Sequence, residues 1–300
     1  MGLHGRVNGL SVGGALDPTG ARPDNRRLER RFSVARIITL LTDFGIASTY
    51  PAQMKGVILE RCPGAVLVDL SHEVPRHDVR TAAFMLASAA RAFPKGTVHV
   101  AVVDPQVGSA RRALAVEAGG QTYLAPDNGL LTVVLGGGGG RPHAGRAVSI
   151  ENRSLFRTDV SSTFHGRDIF APVAAALARG TPLDDLGPVA DSVHWLDVPA
   201  PRREGGSIRG EVLYVDPFGN LVTNITGDQV GGTEPSRVAV YVGGAVIRGL
   251  SRAYSDVAAG MLLIYIGSAG LLEVAVNRQS AASRLAADVG TPIRVAFEAP

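Results

Sequence analysis

The strongest constraint on this chain is an apolar period that changes part-way along it. From residue 36, short apolar runs alternate with longer segments of helical period. "RIITLLTD" (36–43), "AVLVDL" (65–70) and "GTVHVAVVD" (96–104) read as strands that are apolar on both faces. Between them, "TYPAQMKGVILERC" (49–62) carries a helical stripe of Met54, Val57, Ile58 and Leu59. "DVRTAAFMLASAARAF" (78–93) is an Ala-rich helix with Asp78 at its N-cap. Wholly apolar strands need cover on both faces, which a parallel sheet between helices supplies. Further strands are expected at 112–118 and 121–126, and a short helix near 129–135. A helix over 168–179 follows, with Asp168 as its N-cap.

Beyond residue 207 the helical period gives way to short strands at 208–216, 220–225, 237–243, 261–267, 271–276 and 292–298, set between Gly-containing turns. That spacing is the mark of a small antiparallel barrel or sandwich. The expected fold class is an α/β N-terminal domain with a largely parallel sheet, plus a smaller antiparallel β-barrel-like C-terminal domain. The domains are placed at 34–190 and 208–300, with a Pro- and Gly-containing linker at 191–207. Residues 1–33, rich in Gly and Arg and without an apolar period, read as a disordered tail.

Charge is concentrated in that tail. The first 36 residues hold seven Arg against Asp17, Asp24 and Glu29, which leaves the rest of the chain at −1. A near-neutral globular part gives nucleic-acid binding no support. Cys62 is the single cysteine, so no internal disulfide forms, and at a helix end it reads as a buried thiol. No run of about 18 apolar residues offers a membrane span, and the N-terminus lacks the apolar stretch of a secretory signal. A cytoplasmic location is the default expectation. The Gly-rich stretch 135–146 reads as a surface loop without phosphate-binding spacing.

Polar residues cluster where apolar strands end. Asp43, Asp69 and Asp104 stand at or near the carboxyl ends of the first three strands, where ligands bind in open α/β sheets. Each also suits a turn or helix cap. Asp104 and Arg111 are separated by the turn "PQVGSA", which can fold the guanidinium back onto the carboxylate. His165 lies in the polar loop "SSTFHGRD". In "VDPFGNLVTN", an apolar Phe218 at a hairpin tip beside Asn220 suits stacking on a planar base. Ser268, Glu273 and Asn277 follow in "GSAGLLEVAVN", as ligand contacts or as surface polars of a strand–turn–strand unit. Asp43, Asp69, Asp104, Asp127, His165 and Asp168 also admit a Mg or Mn cage, although no tight ligand spacing occurs.

Taken in order, "LLTDFG", "VVDPQVGSARR", "APDNGLL", "STFHGRDIFAPVAA", "DPFGNLVTNI" and "GSAGLLEVAVN" resemble the S-adenosylmethionine hydroxide adenosyltransferases, relatives of the fluorinase and chlorinase. The resemblance covers about residues 36–298. It implies a homotrimer that binds S-adenosyl-L-methionine between the N-terminal domain of one subunit and the C-terminal domain of the next. The family's Asp–Arg–His triad falls on Asp104, Arg111 and His165. By the same resemblance Asp43 holds the ribose hydroxyls, and Phe218 and Asn220 meet the adenine. Ser268 and Glu273 meet the methionine end, and Val276 or Arg278 offers backbone contacts to the base. No metal and no cofactor is expected, since S-adenosyl-L-methionine is the substrate.

The activity implied is attack of water at ribose C5′, releasing adenosine and L-methionine. Two features separate this from halide transfer. Tyr and Ser stand in the halogenases where this chain has His165 and Gly166. An extra fluorinase loop is missing, because only "PKGT" (94–97) joins Phe93 to the next strand. Gln106 occupies a position where the family's turn usually has Gly, so a positive φ there would strain the turn. A halogenase, a non-catalytic adenosine or sulfonium binder, and a metal-dependent phosphoesterase are the competing readings.

Overall fold

The structure is a computed structural model that describes residues 36–136 and 145–298. The expected tail and most of the Gly-rich loop lie outside the described residues. The first sheet has six strands in the order β2-β1-β3-β5-β4-β6. These are β1 (Arg36–Thr42), β2 (Ala65–Ser71), β3 (Val98–Val102), β4 (Ala113–Ala118), β5 (Gln121–Pro126) and β6 (Arg146–Ser149). β2, β1, β3 and β5 run parallel, whereas β4 is antiparallel to both its neighbours. The helices are α1 (Tyr50–Arg61), α2 (Val79–Ala90) and α3 (Ala171–Ala178).

Both faces of this sheet are covered, as its apolar strands require. Ile38, Leu40, Val100 and Val102 pack with Met54, Ile58 and Val173 of α1 and α3. On the other face Leu41, Ala101 and Val103 pack with Ala82 and Leu86 of α2. Leu59, expected in the buried stripe of α1, is instead exposed. Cys62 is buried at the C-cap of α1. Asp78 caps α2 as expected, accepting from the Thr81 backbone N–H at 2.9 Å.

Two expectations for local structure are corrected, and one segment shows added structure. Residues 129–136 form successive turns, with one i→i+4 link from Leu135 to Leu131 at 3.1 Å, rather than a helix. Asp168 is wholly buried inside a π-turn, Gly166–Phe170, that leads into α3, and it does not cap that helix. Within the segment read as a linker, β7 (Arg202–Glu204) pairs with β8 (Ser207–Val215) across Gly205 and Gly206. Both glycines have positive φ, 51° and 77°, as a tight two-residue hairpin turn demands.

The second sheet is antiparallel, in the order β11-β10-β14-β8-β9-β13-β12. Its further strands are β9 (Leu221–Thr226), β10 (Val238–Val242), β11 (Ala245–Arg248), β12 (Leu262–Ile266), β13 (Leu271–Val276) and β14 (Pro292–Phe297). The short helices α4 (Gly227–Val230) and α5 (Ala281–Leu285) complete it. A bridge between Leu250, just beyond β11, and Ile264 of β12 brings the two edges together into a nearly closed barrel. Inward side chains such as Ile208, Leu221, Val240, Ile264, Val274 and Val295 fill it. Among the described residues no helix is long and apolar enough to cross a membrane.

Candidate active site

The strand order fixes where a site can form. β1 connects onward to β2 on one side, while β3 lies on its other side, so a crevice opens beyond the carboxyl ends of β1 and β3. The register pairs Thr42 with Val102, so Asp43 and Asp104 leave adjacent strands at the same edge. Both line a pocket of about 310 Å³, together with Phe44, Tyr50, Phe164 and His165. The three aromatic rings form one wall, with edge-on centroid separations of 5.0–5.9 Å.

Asp104 and Arg111 meet behind this wall, each side chain only 4% exposed. Arg111 Nε donates to Asp104 Oδ2 at 2.8 Å, and Arg111 Nη2 donates to the same oxygen. Asp104 Oδ1 accepts the Gln106 backbone N–H at 3.2 Å. Arg111 Nη2 also reaches His165 Nδ1 at 2.8 Å. A guanidinium only donates, so Nδ1 must be the acceptor and Nε2 carries the imidazole proton. Burial and then the charge of Arg111 hold the His165 pKa below its ordinary 6.5, against the pull of Asp104 and Asp168. The cluster is therefore a carboxylate, a guanidinium and a neutral imidazole, with the Nε2–H left to donate.

The His165 loop is anchored from below. Asp168 accepts from Arg167 Nε at 2.7 Å and Arg167 Nη2 at 2.9 Å, and from the Ser161 backbone N–H at 2.9 Å. Burial alone would raise the Asp168 pKa, but these bonds hold it below the usual carboxylate value. Asp43 is tied by the His77 backbone N–H, which donates to Oδ2 at 2.9 Å. His77 itself takes a positive φ of 65°, an unusual conformation for a side chain of its size. Asp69 lies outside this pocket, paired with Lys55 at 2.5 Å. Asp127 pairs with Arg112 and Asp168 with Arg167, and neither lines this pocket. Gln106 is not among the positive-φ residues, so it carries no such strain; Gly108, at φ 81°, is the position that needs glycine.

A second pocket, of about 410 Å³, lies on the barrel and is lined by Phe218, Asn220, Tyr254, Val276, Arg278 and their neighbours. Phe218 sits at the tip of the β8–β9 hairpin and is 79% exposed. Asp216 shapes the turn by accepting from the backbone N–H groups of Phe218 and Asn220 at 2.9 and 2.8 Å. Arg278 has φ 65° in the turn that follows β13. Ser268, exposed at the β12–β13 turn, and Glu273, buried on β13, line neither pocket. The structure thus brings together Asp43, Asp104, Arg111 and His165 in one place, and Phe218, Asn220, Val276 and Arg278 in another. Sequence reasoning missed Tyr50, His77 and Tyr254. Only the Pro-Arg-His-Asp run gave a local sign of His77, and an isolated Tyr between short strands gave none.

Models of the SAM hydroxide adenosyltransferase N-terminal domain and C-terminal domain match residues 38–187 and 210–294. The chain belongs to this family. It is 41% identical over 271 residues to the (R)-S-adenosyl-L-methionine hydrolase of Thermus thermophilus, covering 87% of this chain and 99% of the relative. The hydrolase of the same name from Salinispora tropica is 42% identical, covering 86% and 97%. A fluorinase from an Actinoplanes species is more distant, at 30% identity covering 80% of this chain and 91% of its own. Among solved structures, an uncharacterized conserved protein from Thermotoga maritima superimposes with a TM-score of 0.80 at 39% identity, covering 86% of this chain and 99% of its own.

Proposed function

We propose that the chain hydrolyses S-adenosyl-L-methionine at ribose C5′, giving adenosine and L-methionine. The convergence of Asp104, Arg111 and His165 at the β1/β3 crevice is the observation that carries this reading. The sulfonium leaves as a neutral thioether and needs no acid. What the reaction lacks is a water held in line behind C5′, and positioning of this kind supplies about 7–11 kcal/mol when the geometry is near attack. The His165 Nε2–H and the Asp104 carboxylate hold that water. Asp104 receives its proton as the C–O bond forms and the C–S bond breaks, and Arg111 holds Asp104 and His165 in the geometry that aims the water. Asp43 binds the ribose hydroxyls through Oδ1, and Phe218 stacks on the adenine. The backbone at Val276 and Arg278 contacts the base edge. Ser268 is left for the methionine end.

The ribose-side pocket and the base-side pocket share no lining residue. Each lies towards the lower end of the ~300–1,000 Å³ typical of ligand sites. Ile46, Tyr50 and Val107 around the first, and Phe218 in the second, are apolar and exposed. These features support a site completed by a second copy of the chain, within the homotrimer that the family resemblance implies. The connection from Phe93 to β3 at Val98 is short, which favours water over halide as nucleophile.

Incubation of the protein with S-adenosyl-L-methionine, with and without chloride, followed by chromatography, tests the reading. Adenosine in both arms is expected. A chloride-dependent 5′-chloro product, or no turnover at all, would overturn it. Asp104→Asn should keep substrate binding and lower kcat by about 10²–10⁴-fold.

A further inference from the structure

A chain of hydrogen bonds runs through the barrel to the base-side pocket. Tyr265 OH donates to Glu273 Oε2. Its only proton is thereby used, so the 2.8 Å contact between Tyr254 OH and Tyr265 OH must have Tyr254 as donor. Tyr254 oxygen then accepts from Asn220 Nδ2 at 2.8 Å. The other Asn220 N–H goes to Asp216 Oδ2, also at 2.8 Å. Two acceptors thus claim both amide hydrogens, and the identity of the two ends of the carboxamide is forced by its partners.

Asn220 is 2% exposed, and among the described residues its Oδ1 has no hydrogen-bond partner. That oxygen is not among the sealed, unpartnered polar atoms of the described residues, so it opens on the pocket that Asn220 lines. A fixed acceptor in that place is matched by an exocyclic amino group and opposed by a carbonyl. Burial keeps the Glu273 pKa above its ordinary value, yet Tyr265 holds a hydrogen bond to it, and in the ionised form it sets the sense of every bond in the chain.

We propose that Tyr254, Tyr265 and Glu273 are positioning residues that act with Asp216 to lock the Asn220 carboxamide with Oδ1 facing the ligand, making the site selective for a 6-aminopurine over a 6-oxopurine. This rests on the reading of the barrel pocket as the base site. It assigns Glu273 to the orientation of the base rather than to the methionine end. Tyr265 and Glu273 act without touching the substrate. Tyr254 lines the pocket as well.

The test compares kcat/KM for S-adenosyl-L-methionine with that for its analogue bearing a 6-oxo group in place of the 6-amino group. An unmet or repelled buried acceptor costs about 1–3 kcal/mol, so the wild-type protein should prefer the amino form by roughly 5- to 150-fold. In Tyr265→Phe the Tyr254 hydroxyl loses its acceptor and can turn its proton towards Asn220, which leaves Asp216 alone to oppose a flip of the carboxamide. The preference should fall by about tenfold, with the loss seen in KM for the amino substrate. Glu273→Gln, nearly isosteric, can donate to Tyr265 and reverse the chain, and should lose discrimination likewise. If both variants keep the wild-type ratio, or lose activity on the two substrates in equal proportion, the positioning role is overturned while the base site stands. If the wild-type protein does not discriminate and Asn220→Ala leaves KM unchanged, the base-site reading fails and the proposal falls with it.

Discussion

Arg111 is the residue on which the ribose-side cluster turns. It spans Asp104 and His165, which make no hydrogen bond to one another, and it packs 5.8 Å from the centre of the Phe170 ring. Lys in its place would offer no planar fork to serve both partners. The geometry also dictates a response to acid. Protonation of His165 would place a second cation against Arg111 and remove the Nδ1 acceptor. Because burial and Arg111 keep its pKa below 6.5, kcat/KM should stay level as pH falls to that value and decline only beneath it. The folded form resists the proton more than the unfolded chain does. This group's contribution to stability should therefore begin to fall as pH drops through the ordinary imidazole value and keep falling down to the lower folded one. A pH–rate profile whose acid limb lies clearly above 6.5 would contradict the neutral tautomer, and His165→Gln should abolish that limb.

Two elements bring the cluster into register: the turn from Asp104 to Arg111 and the loop before the π-turn. They approach each other closely at Gly108. A Cβ there would run into the Ser162 carbonyl, and φ 81° already disfavours any other residue. Gly108→Ala should push the turn away from the loop that carries His165, lowering the melting temperature and reducing kcat at least tenfold by parting Arg111 from Nδ1. Gln106→Gly, which restores the residue usual in the family, should leave kcat within about twofold, because position 106 has no positive φ to relieve. A strong gain in the second variant, or none lost in the first, would show that the turn is positioned by something else. The sequence made the parallel strands legible because wholly apolar runs have few other uses. It did not reveal the π-turn at Gly166–Phe170, whose composition matches an ordinary helix start. β11 escaped notice because four residues between Gly244 and Gly249 carry too little period to read. Residues 129–136 are apolar enough to suggest a packed element, but Thr132, Val133 and Val134 are β-branched and the Gly run that follows gives a helix no room to continue.

At the scale of the whole molecule, one chain holds two pockets, one at the edge of each sheet's chemistry-bearing residues, that the proposed reaction would need to bring together. The ordered motifs pointed to the family and to a set of candidate residues. They did not reveal that these residues separate into a group at the β1/β3 crevice and a group on the barrel, because that depends on the folded positions of strands far apart in sequence. Within the chain, Arg80 to Glu211 at 3.4 Å and the stacking of Phe84 on Tyr214 tie α2 to β8. If each working site joins the crevice of one copy to the barrel pocket of another, defects in the two halves should complement. Asp104→Asn, low in kcat, and Asn220→Ala, raised in KM, can be unfolded, mixed in equal amounts, refolded and assayed at substrate well below the Asn220→Ala KM, where each alone turns over slowly. An intact site then forms wherever the crevice of an Asn220→Ala chain meets the barrel of an Asp104→Asn chain. Random assembly makes this happen at about a quarter of the sites. Recovery near a quarter of wild-type turnover is expected, alongside a trimer by light scattering. Recovery no greater than the sum of the two variants would place each complete site within a single chain, and would require the two pockets to be joined by a movement of the barrel against the first sheet.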